Sequence, residues 1–230
     1  MQNFKQWNTK YIGFVAYALT IAFIVMHAVL RGDYIVAVIS AICGITYTVF
    51  AGYGAPVCYL FGIVGSGFYI FLSFQNALWG NLLLYLLYYI PMQVIGFFKW
   101  NKNLKAGKNE IVKISLEKRE LGLILLATVL LSLVVVAGLY YFNDTHPILD
   151  GITTTFSVAG MYLTVKRAIE QWLAWIIVNA LSFVMWIQVA LSGEKVFSTV
   201  VMWGVYLFLA FYFYYEWKKE IESNKDKTYQ

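Results

Sequence analysis

The chain has 230 residues, of which 61% are hydrophobic, 19% aromatic and only 13% charged. Because soluble domains carry about 25% charged residues, this composition excludes an ordinary soluble domain and indicates a polytopic membrane protein. The net charge of +5 lies almost wholly in predicted loops and tails, so it bears on membrane topology and indicates no nucleic-acid partner.

Eight apolar runs are long enough to cross a bilayer as helices. In chain order they cover 11–30, 34–52, 56–74, 79–98, 120–142, 148–166, 171–191 and 196–216. The first run lacks a small-residue cleavage site, which indicates a retained helix and not a signal peptide. The basic stretch between residues 99 and 120 has an amphipathic pattern, and we expect it at the membrane surface.

The basic residues predict the orientation of these spans. With eight spans, 15 of the 17 Lys and Arg residues fall in one set of loops and tails, and only Arg31 and Lys195 fall in the other. Positive charge favours the cytoplasmic side, so both termini are expected to be cytoplasmic.

An internal repeat organises the runs. A shift of 116 residues superimposes Gly44 on Gly160, Thr48 on Thr164, Tyr59 on Trp175, Ser66 on Ser182 and Ile70 on Trp186, and one more residue of shift superimposes Trp100 on Trp217. The helix predicted at 120–142 links the two three-helix repeats. Because three spans plus this one make an even number of crossings, both repeats begin on the same side of the membrane and are parallel. Two such units are typical of transporters, whose site lies at the repeat interface.

The predicted fold is therefore all-α, with eight transmembrane helices arranged as 1+3+1+3. Its parts are a tail with an extra helix (1–33), the first three-helix repeat (34–100), a basic amphipathic loop with the linker helix (101–147), the second repeat (148–217) and a cytoplasmic tail (218–230).

A stripe of polar and aromatic residues marks the seventh run. Steps of three and four residues place its members on one helix face: Trp172, Trp175, Asn179, Ser182 and Trp186. An amide and a hydroxyl in lipid need partners, so the stripe is predicted to form one wall of a substrate site. We expect Asn179 and Ser182 near the midplane, Trp186 as an outer aromatic wall and Trp172 at the cytoplasmic end as a gate. Interhelical hydrogen bonding is the alternative for Asn179, and an interfacial belt is the alternative for Trp172 and Trp175.

Three further residues complete the predicted site. Gln93 follows Pro91, which frees a backbone carbonyl and permits a kink, so its amide is a candidate ligand group. Tyr47 is a candidate for the cavity lining or for packing. Glu170, at a loop–helix junction beside basic residues, forms either a surface ion pair or a cytoplasmic gate contact.

The predicted spans lack the residues that several membrane functions require. No Asp, Glu, Lys or Arg lies in the middle of a predicted repeat helix, which favours facilitated diffusion over proton coupling and disfavours a phosphorylated substrate. Amides with Trp and Tyr suit a flat, hydroxyl-bearing, cationic ring. No cofactor, metal or catalytic motif is visible, so an enzyme is not predicted. A sugar carrier and a non-transporting scaffold remain as alternatives.

Two motifs carry a resemblance to the PnuC family of bacterial vitamin transporters. They are E-x-W-x-x-W-x-x-x-N, here Glu170, Trp172, Trp175 and Asn179, and Q-x-x-G-x-x-x-W, here Gln93, Gly96 and Trp100. The resemblance spans residues 34–217 and implies a fold similar to SWEET sugar carriers. The helix near 11–30 lies outside the family core. Ile63 stands where the repeat would place the counterpart of Asn179, so the site is expected to be asymmetric.

The resemblance also implies a function. Family members carry nicotinamide riboside, a neutral ribose with a cationic pyridinium ring, and relatives carry thiamine or riboflavin. It implies facilitated diffusion with trapping by cytoplasmic phosphorylation, no cofactor, and a homotrimer among the lipids of the bacterial inner membrane.

Overall fold

The computed structural model describes residues 17–30 and 32–228, with side chains as far as residue 224. Within them the chain forms eight helices: α1 (Tyr17–Leu30), α2 (Ile35–Tyr53), α3 (Cys58–Gln75), α4 (Trp79–Asn101), α5 (Lys118–Tyr141), α6 (Pro147–Lys166), α7 (Gln171–Leu191) and α8 (Phe197–Thr228). The same residues contain no β-strand, only two isolated bridges.

Seven of these helices, α2 to α8, are long and apolar enough to cross a membrane. Their bounds lie within a few residues of the predicted spans, except that α8 continues from the expected end near 216 to Thr228. Lys and Glu, which are good helix formers, fill that extension. Helix α1 is shorter than the predicted first span, because residues 11–16 of that span lie outside the described part of the chain.

Six helices form a closed ring, in which each packs on the next: α2, α3, α4, α6, α7, α8 and back to α2. Helices α2, α4, α6 and α8 begin at one end of the ring, here called the upper end, and finish at the lower end. Helices α3 and α7 run the opposite way. Two seams of this ring, α2–α8 and α4–α6, join the first part of the chain to the second.

An aspartate holds each seam together at its upper end. The Asp33 carboxylate accepts hydrogen bonds from the Ser198 backbone N–H at 2.6 Å and its hydroxyl at 2.5 Å. The Asp150 carboxylate accepts from the Gly80 backbone N–H at 2.9 Å. Each carboxylate therefore satisfies N–H groups that the first turn of a neighbouring helix leaves unpaired.

A tryptophan holds each seam together at its lower end. The indole N–H of Trp100, at the end of α4, donates to the Thr164 carbonyl at 3.0 Å. The indole N–H of Trp217, in α8, donates to the Gly52 carbonyl at 2.7 Å. Both indoles are fully buried, so each bond satisfies a polar group away from water.

Helices α1 and α5 lie outside the ring. Helix α1 packs against α2 and α8, where the Tyr17 and Thr46 hydroxyls are 2.7 Å apart. Helix α5 packs on α6, where the Ser132 and Thr155 hydroxyls are 2.5 Å apart. After its charged first turn, most of α5 is apolar and exposed, which is expected of a helix that faces lipid.

Candidate functional site

A central cavity lies inside the ring, and all six ring helices contribute to its walls. Its free volume is about 80 Å³. Ligand pockets for small organic molecules are commonly about 300–1,000 Å³, so binding of such a ligand requires the walls of this cavity to move apart. Every lining residue in the described part of the chain is uncharged.

Aromatic rings form a continuous wall of this cavity, here called the aromatic cage. Its members are Tyr69, Tyr85, Tyr89, Trp175, Trp203 and Tyr206. Neighbouring rings in the cage touch, with centroid separations of 4.4 Å between Tyr85 and Tyr89, 4.5 Å between Tyr69 and Tyr85, and 6.3 Å between Tyr89 and Trp175. Aromatic faces attract flat and cationic groups, so the cage suits a cationic ring.

A π-helical turn at Tyr85–Tyr89, within α4, brings two tyrosines of the cage into the cavity. The backbone N–H of Ile90 donates to the Tyr85 carbonyl, five residues back. Pro91 explains this widening, because proline has no N–H and its ring would clash with the carbonyl of Leu87 in a regular helix. Such π-turns are rare and frequently occur at functional sites.

Polar atoms without partners also belong to residues that line the cavity. The Tyr47 hydroxyl, the Gln93 Oε1 atom and the indole N–H groups of Trp172 and Trp203 have no hydrogen-bond partner among the described residues. The other end of the Gln93 amide donates to the Ser66 hydroxyl at 2.9 Å, which fixes its orientation. Buried polar groups are normally paired, so four unpaired ones around a cavity indicate a site for a polar ligand.

Two glycines make room for aromatic side chains of the cavity wall. A Cβ atom at Gly44 would lie 1.7 Å from the Tyr206 hydroxyl, and one at Gly62 would lie 2.8 Å from the Tyr47 ring. Any larger residue at either position would push a lining side chain out of place.

Five of the residues predicted from the sequence line the cavity: Tyr47, Gln93, Trp172, Trp175 and Asn179. Asn179 is buried and lies on the same wall as Trp175, whose indole N–H donates to the Thr164 hydroxyl at 3.1 Å. The stripe on α7 therefore faces the cavity over its first half.

The remaining predicted residues lie elsewhere. Trp186 is fully buried behind the wall and donates a hydrogen bond to the Tyr69 hydroxyl at 2.8 Å, so it positions a cage residue. Ser182 is also buried, outside the cavity lining, and its hydroxyl has no partner among the described residues. Glu170 lies beneath the cavity at the lower end.

A loop that we call the strap, residues 103–116, crosses the lower end of the ring. The backbone N–H of Ile111 donates to the Gly54 carbonyl at 3.0 Å, and that of Ile114 donates to the Arg167 carbonyl at 3.0 Å. Ile111 is fully buried beneath the cavity. The segment is expected to lie at the membrane surface, and this buried side chain holds it against the helix ends.

Charged groups fasten the strap to the ring. The Glu170 carboxylate accepts hydrogen bonds from the Ser115 hydroxyl at 2.7 Å and the Leu116 backbone N–H at 3.0 Å. The Lys113 ammonium group lies 2.7 Å from the Glu220 carboxylate. Burial lowers the pKa of Lys113 below its usual value, and the nearby Glu220 carboxylate opposes that shift. These contacts hold the strap across the lower end of the ring.

Sequence reasoning missed most of the aromatic cage. Tyr69, Tyr85, Tyr89, Trp203 and Tyr206 line the cavity but were not singled out. The chain contains 18 Tyr and 8 Trp residues, so aromatic residues alone do not distinguish a cavity wall from packing. Pro91 was the available signal for the π-turn.

Comparison with known proteins adds an independent observation. The family described as nicotinamide mononucleotide transporter matches residues 34–219. A nicotinamide riboside transporter PnuC from Neisseria mucosa is 32% identical over 201 residues, which cover 85% of this chain and 76% of that protein. Another protein of that name, from Haemophilus influenzae, is 32% identical over 189 residues, which cover 81% of this chain and 80% of that one.

A solved structure agrees with these matches. The crystal structure of the vitamin B3 transporter PnuC is similar to this chain with a TM-score of 0.82 and 30% identity, and the similarity covers 91% of each chain. The resemblance seen in the two motifs is thus confirmed over most of the chain. These relatives are transporters, not enzymes. From its apolar helices and these matches, the chain is a multi-pass membrane protein that belongs to the PnuC family of transporters.

Proposed function

We propose that this protein transports nicotinamide riboside across the bacterial inner membrane through the central cavity. The observation that carries the proposal is the composition of the cavity, which combines an aromatic cage with unpaired neutral polar atoms and, among the described residues, has no charged lining residue. The cage matches a cationic pyridinium ring, and the polar atoms match ribose hydroxyls. The names of the two relatives support the same substrate.

The cavity favours the riboside over its phosphorylated form. Phosphate recognition in a buried site normally needs Arg or Lys, and the described lining offers neither. The family description names the mononucleotide, whereas both relatives are named for the riboside. A phosphate inside this cavity would lose its hydration without gaining a cationic partner, which is energetically costly.

The proposed roles follow the placement of each side chain. Asn179 and Gln93 bind the ribose hydroxyls, while Trp175 and Tyr47 border the ring. Trp186 does not border the cavity, and its hydrogen bond to the Tyr69 hydroxyl positions that ring in the cage.

Ser182 was predicted to bind substrate and stays a proposal, with its unpaired hydroxyl as the supporting observation. Trp172 and Glu170 form the cytoplasmic gate, because one lines the floor of the cavity and the other fastens the strap.

The architecture that we propose is the 1+3+1+3 arrangement, with α2–α4 and α6–α8 as parallel repeats and α5 as the linker. The matching interactions of the two seams support it: Asp33, directly before the first repeat, and Asp150, in the second, bind at the upper end, and each repeat supplies one tryptophan at the lower end. The domain boundaries at 33, 100, 147 and 217 are part of this proposal. Repeats of this kind rock against each other to alternate access to a central site.

The proposal also covers the orientation of the protein in the membrane, the driving force for uptake and the oligomeric state. Both termini face the cytoplasm, as the distribution of Lys and Arg indicates. Uptake proceeds by facilitated diffusion, and phosphorylation in the cytoplasm traps the product, which the uncharged cavity then does not bind. The protein works as a homotrimer among membrane lipids, a state that rests on the family resemblance alone.

Binding to the purified protein tests the substrate. Isothermal titration should give affinity for nicotinamide riboside and much weaker binding of its 5′-phosphate, thiamine, riboflavin and glucose. Equal affinity for the phosphate would contradict the argument from the uncharged cavity. Preference for glucose would favour a sugar carrier.

A matched pair of variants on α7 tests the site. Asn179→Ala should abolish uptake into proteoliposomes, because it removes an amide from the cavity wall, while the protein stays folded. Gln188→Ala removes an amide from an exposed position on the same helix and should leave uptake unchanged. Normal uptake by Asn179→Ala would refute the assignment.

Collapse of the proton gradient tests the energetics. Proteoliposomes that contain an enzyme able to phosphorylate the riboside should accumulate product with or without a gradient. Strict dependence on the gradient would refute facilitated diffusion.

A further inference from the structure

The two aspartates at the upper end of the ring occupy equivalent positions in the repeat. Asp33 and Asp150 are 117 residues apart, and so are their partners Asn81 and Ser198, the same shift that relates Trp100 to Trp217. Each aspartate precedes or begins the first helix of one repeat and binds the start of the last helix of the other repeat. The upper end therefore carries one carboxylate contact on each seam.

The Asp150 contact is the more extensively bonded of the two. Its carboxylate is fully buried and accepts from the Gly80 N–H at 2.9 Å, from the Asn81 N–H at 3.4 Å and from the Asn81 side-chain amide. Lower along the same seam, the Tyr88 hydroxyl donates to the Val158 carbonyl at 2.9 Å.

The Asp33 contact is simpler and more accessible. Its carboxylate is only partly buried, and among the described residues it binds Ser198, through the backbone N–H and the hydroxyl. Beside it, the Tyr34 N–H donates to the Lys195 carbonyl at 3.2 Å. Water can replace the partners of a partly exposed carboxylate when the helices separate, whereas separation at Asp150 would leave a buried carboxylate and an amide without theirs.

The connections between the helices also favour separation at the α2–α8 seam over separation at the α4–α6 seam. Helices α4 and α6 are joined through the strap and α5, and α5 packs directly on α6. Helices α2 and α8 are far apart in the chain, so that seam is closed by their side-by-side contacts and by α1, which packs against both.

We propose that the Asp33–Ser198 contact is the latch of the outer gate, which opens at the α2–α8 seam while the α4–α6 seam, held by Asp150, stays closed as the hinge. The inference deepens the proposed function and rests on it, since the upper end is the outer end only in the proposed orientation. The two repeats then move unequally although their sequences are related.

Thiol labelling from outside the cell tests the latch. The reporter is Ser40→Cys, a cavity-lining position on α2, in a background that carries Cys43→Ala and Cys58→Ala. Asp33→Ala should raise the labelling rate by a membrane-impermeant reagent about fivefold, as expected for a population shift from the loss of one helix cap. Asn81→Ala, which removes the side-chain amide that binds Asp150 in the other seam, should leave the rate within about twofold. Equal acceleration by both variants, or none by Asp33→Ala, would overturn the proposal.

Disulfide crosslinks test it independently of side-chain deletion. Oxidation of Asp33→Cys with Ser198→Cys should abolish uptake until a reductant is added. Oxidation of Asp150→Cys with Asn81→Cys should leave at least about half of the uptake, because a hinge need not separate. The opposite pattern would assign the latch to Asp150.

The two readouts also separate this inference from the substrate assignment. Labelling of the empty cavity involves no substrate, so a protein that transports some other compound would still show the Asp33 effect. If the second cysteine pair does not fold, the Asn81→Ala labelling result still decides between the seams.

Discussion

Gly44→Ala is the substitution whose effect the structure predicts most directly. A Cβ atom at this position would lie 1.7 Å from the Tyr206 hydroxyl and 3.3 Å from the Met202 sulfur. The tyrosine ring must therefore move by about 2 Å to reach an ordinary van der Waals separation. Because Tyr206 belongs to the aromatic cage, this movement changes the wall of the cavity.

The size of the effect follows from the lost contact. Loss of one aromatic face from a cationic ligand costs about 0.5–2 kcal/mol, which weakens binding roughly 2- to 30-fold. Overpacking adds a stability cost of about 1–3 kcal/mol. We expect a higher KM for riboside uptake, a higher Kd by titration, and a lower Tm of the purified protein.

Two variants make this experiment decisive. Gly67→Ala adds the same methyl group to α3 where no atom lies within 4 Å, so it should leave KM and Tm unchanged. Gly44→Ala combined with Tyr206→Phe removes the colliding hydroxyl, and the lost Tm should partly return. An unchanged KM in folded Gly44→Ala protein would show that Tyr206 does not border the substrate.

Three further predictions concern the cavity wall and the lower end. Trp175→Phe should retain uptake with a KM raised about fivefold, because it loses one hydrogen bond of about 1 kcal/mol but keeps an aromatic face. Trp175→Ala should abolish uptake. Equal loss of uptake in both variants would mean that the indole N–H, and not the aromatic face, is what transport needs. Trp217→Phe should lower the free energy of unfolding by about 1–3 kcal/mol, measured by thermal denaturation in detergent, since it leaves the buried Gly52 carbonyl unpaired. Trp100→Phe should cost about 0.5–1.5 kcal/mol, because the Thr164 carbonyl keeps its hydrogen bond from the Arg167 N–H; unchanged Tm values in both would contradict the seam contacts. Ile111→Ala should lower the stability of the strap's attachment by about 2–5 kcal/mol and speed proteolysis of the strap. Val112→Ala, at an exposed position, should leave the proteolysis rate unchanged. Equal cleavage of the two variants would mean that Ile111 does not anchor the strap.

The hydrophobic pattern was enough to locate the helices. Lipid leaves no partner for a free backbone N–H, so each long apolar run must form a helix, and the observed bounds of α2 to α7 follow the runs closely. The polar stripe of α7 was visible for a related reason, because an amide such as Asn179 in an apolar helix requires a partner or a cavity.

The position of each stripe residue around the cavity was decided by packing. Trp175 and Trp186 share a helix face in the sequence, yet Trp175 lines the cavity and Trp186 lies behind Tyr69. A stripe specifies a direction around the helix axis, while the neighbouring helix determines how far along that stripe the cavity extends. Trp186 therefore satisfies its indole N–H on a protein hydroxyl at 2.8 Å and leaves the cavity wall to Tyr69.

The π-turn and the seams also depended on tertiary structure. Pro91 indicated a distortion, but only the folded helix turns Tyr85 and Tyr89 into the cavity together. The repeat shift of 117 residues was visible at Trp100 and Trp217 but went unnoticed at Asp33 and Asp150, which lie near predicted span ends where charged residues are ordinary. The sequence alone thus determined which segments cross the membrane, because that depends on each segment's own transfer to lipid. Which side chains meet depends on contacts between segments far apart in the chain, and those were decided by the closed ring of helices.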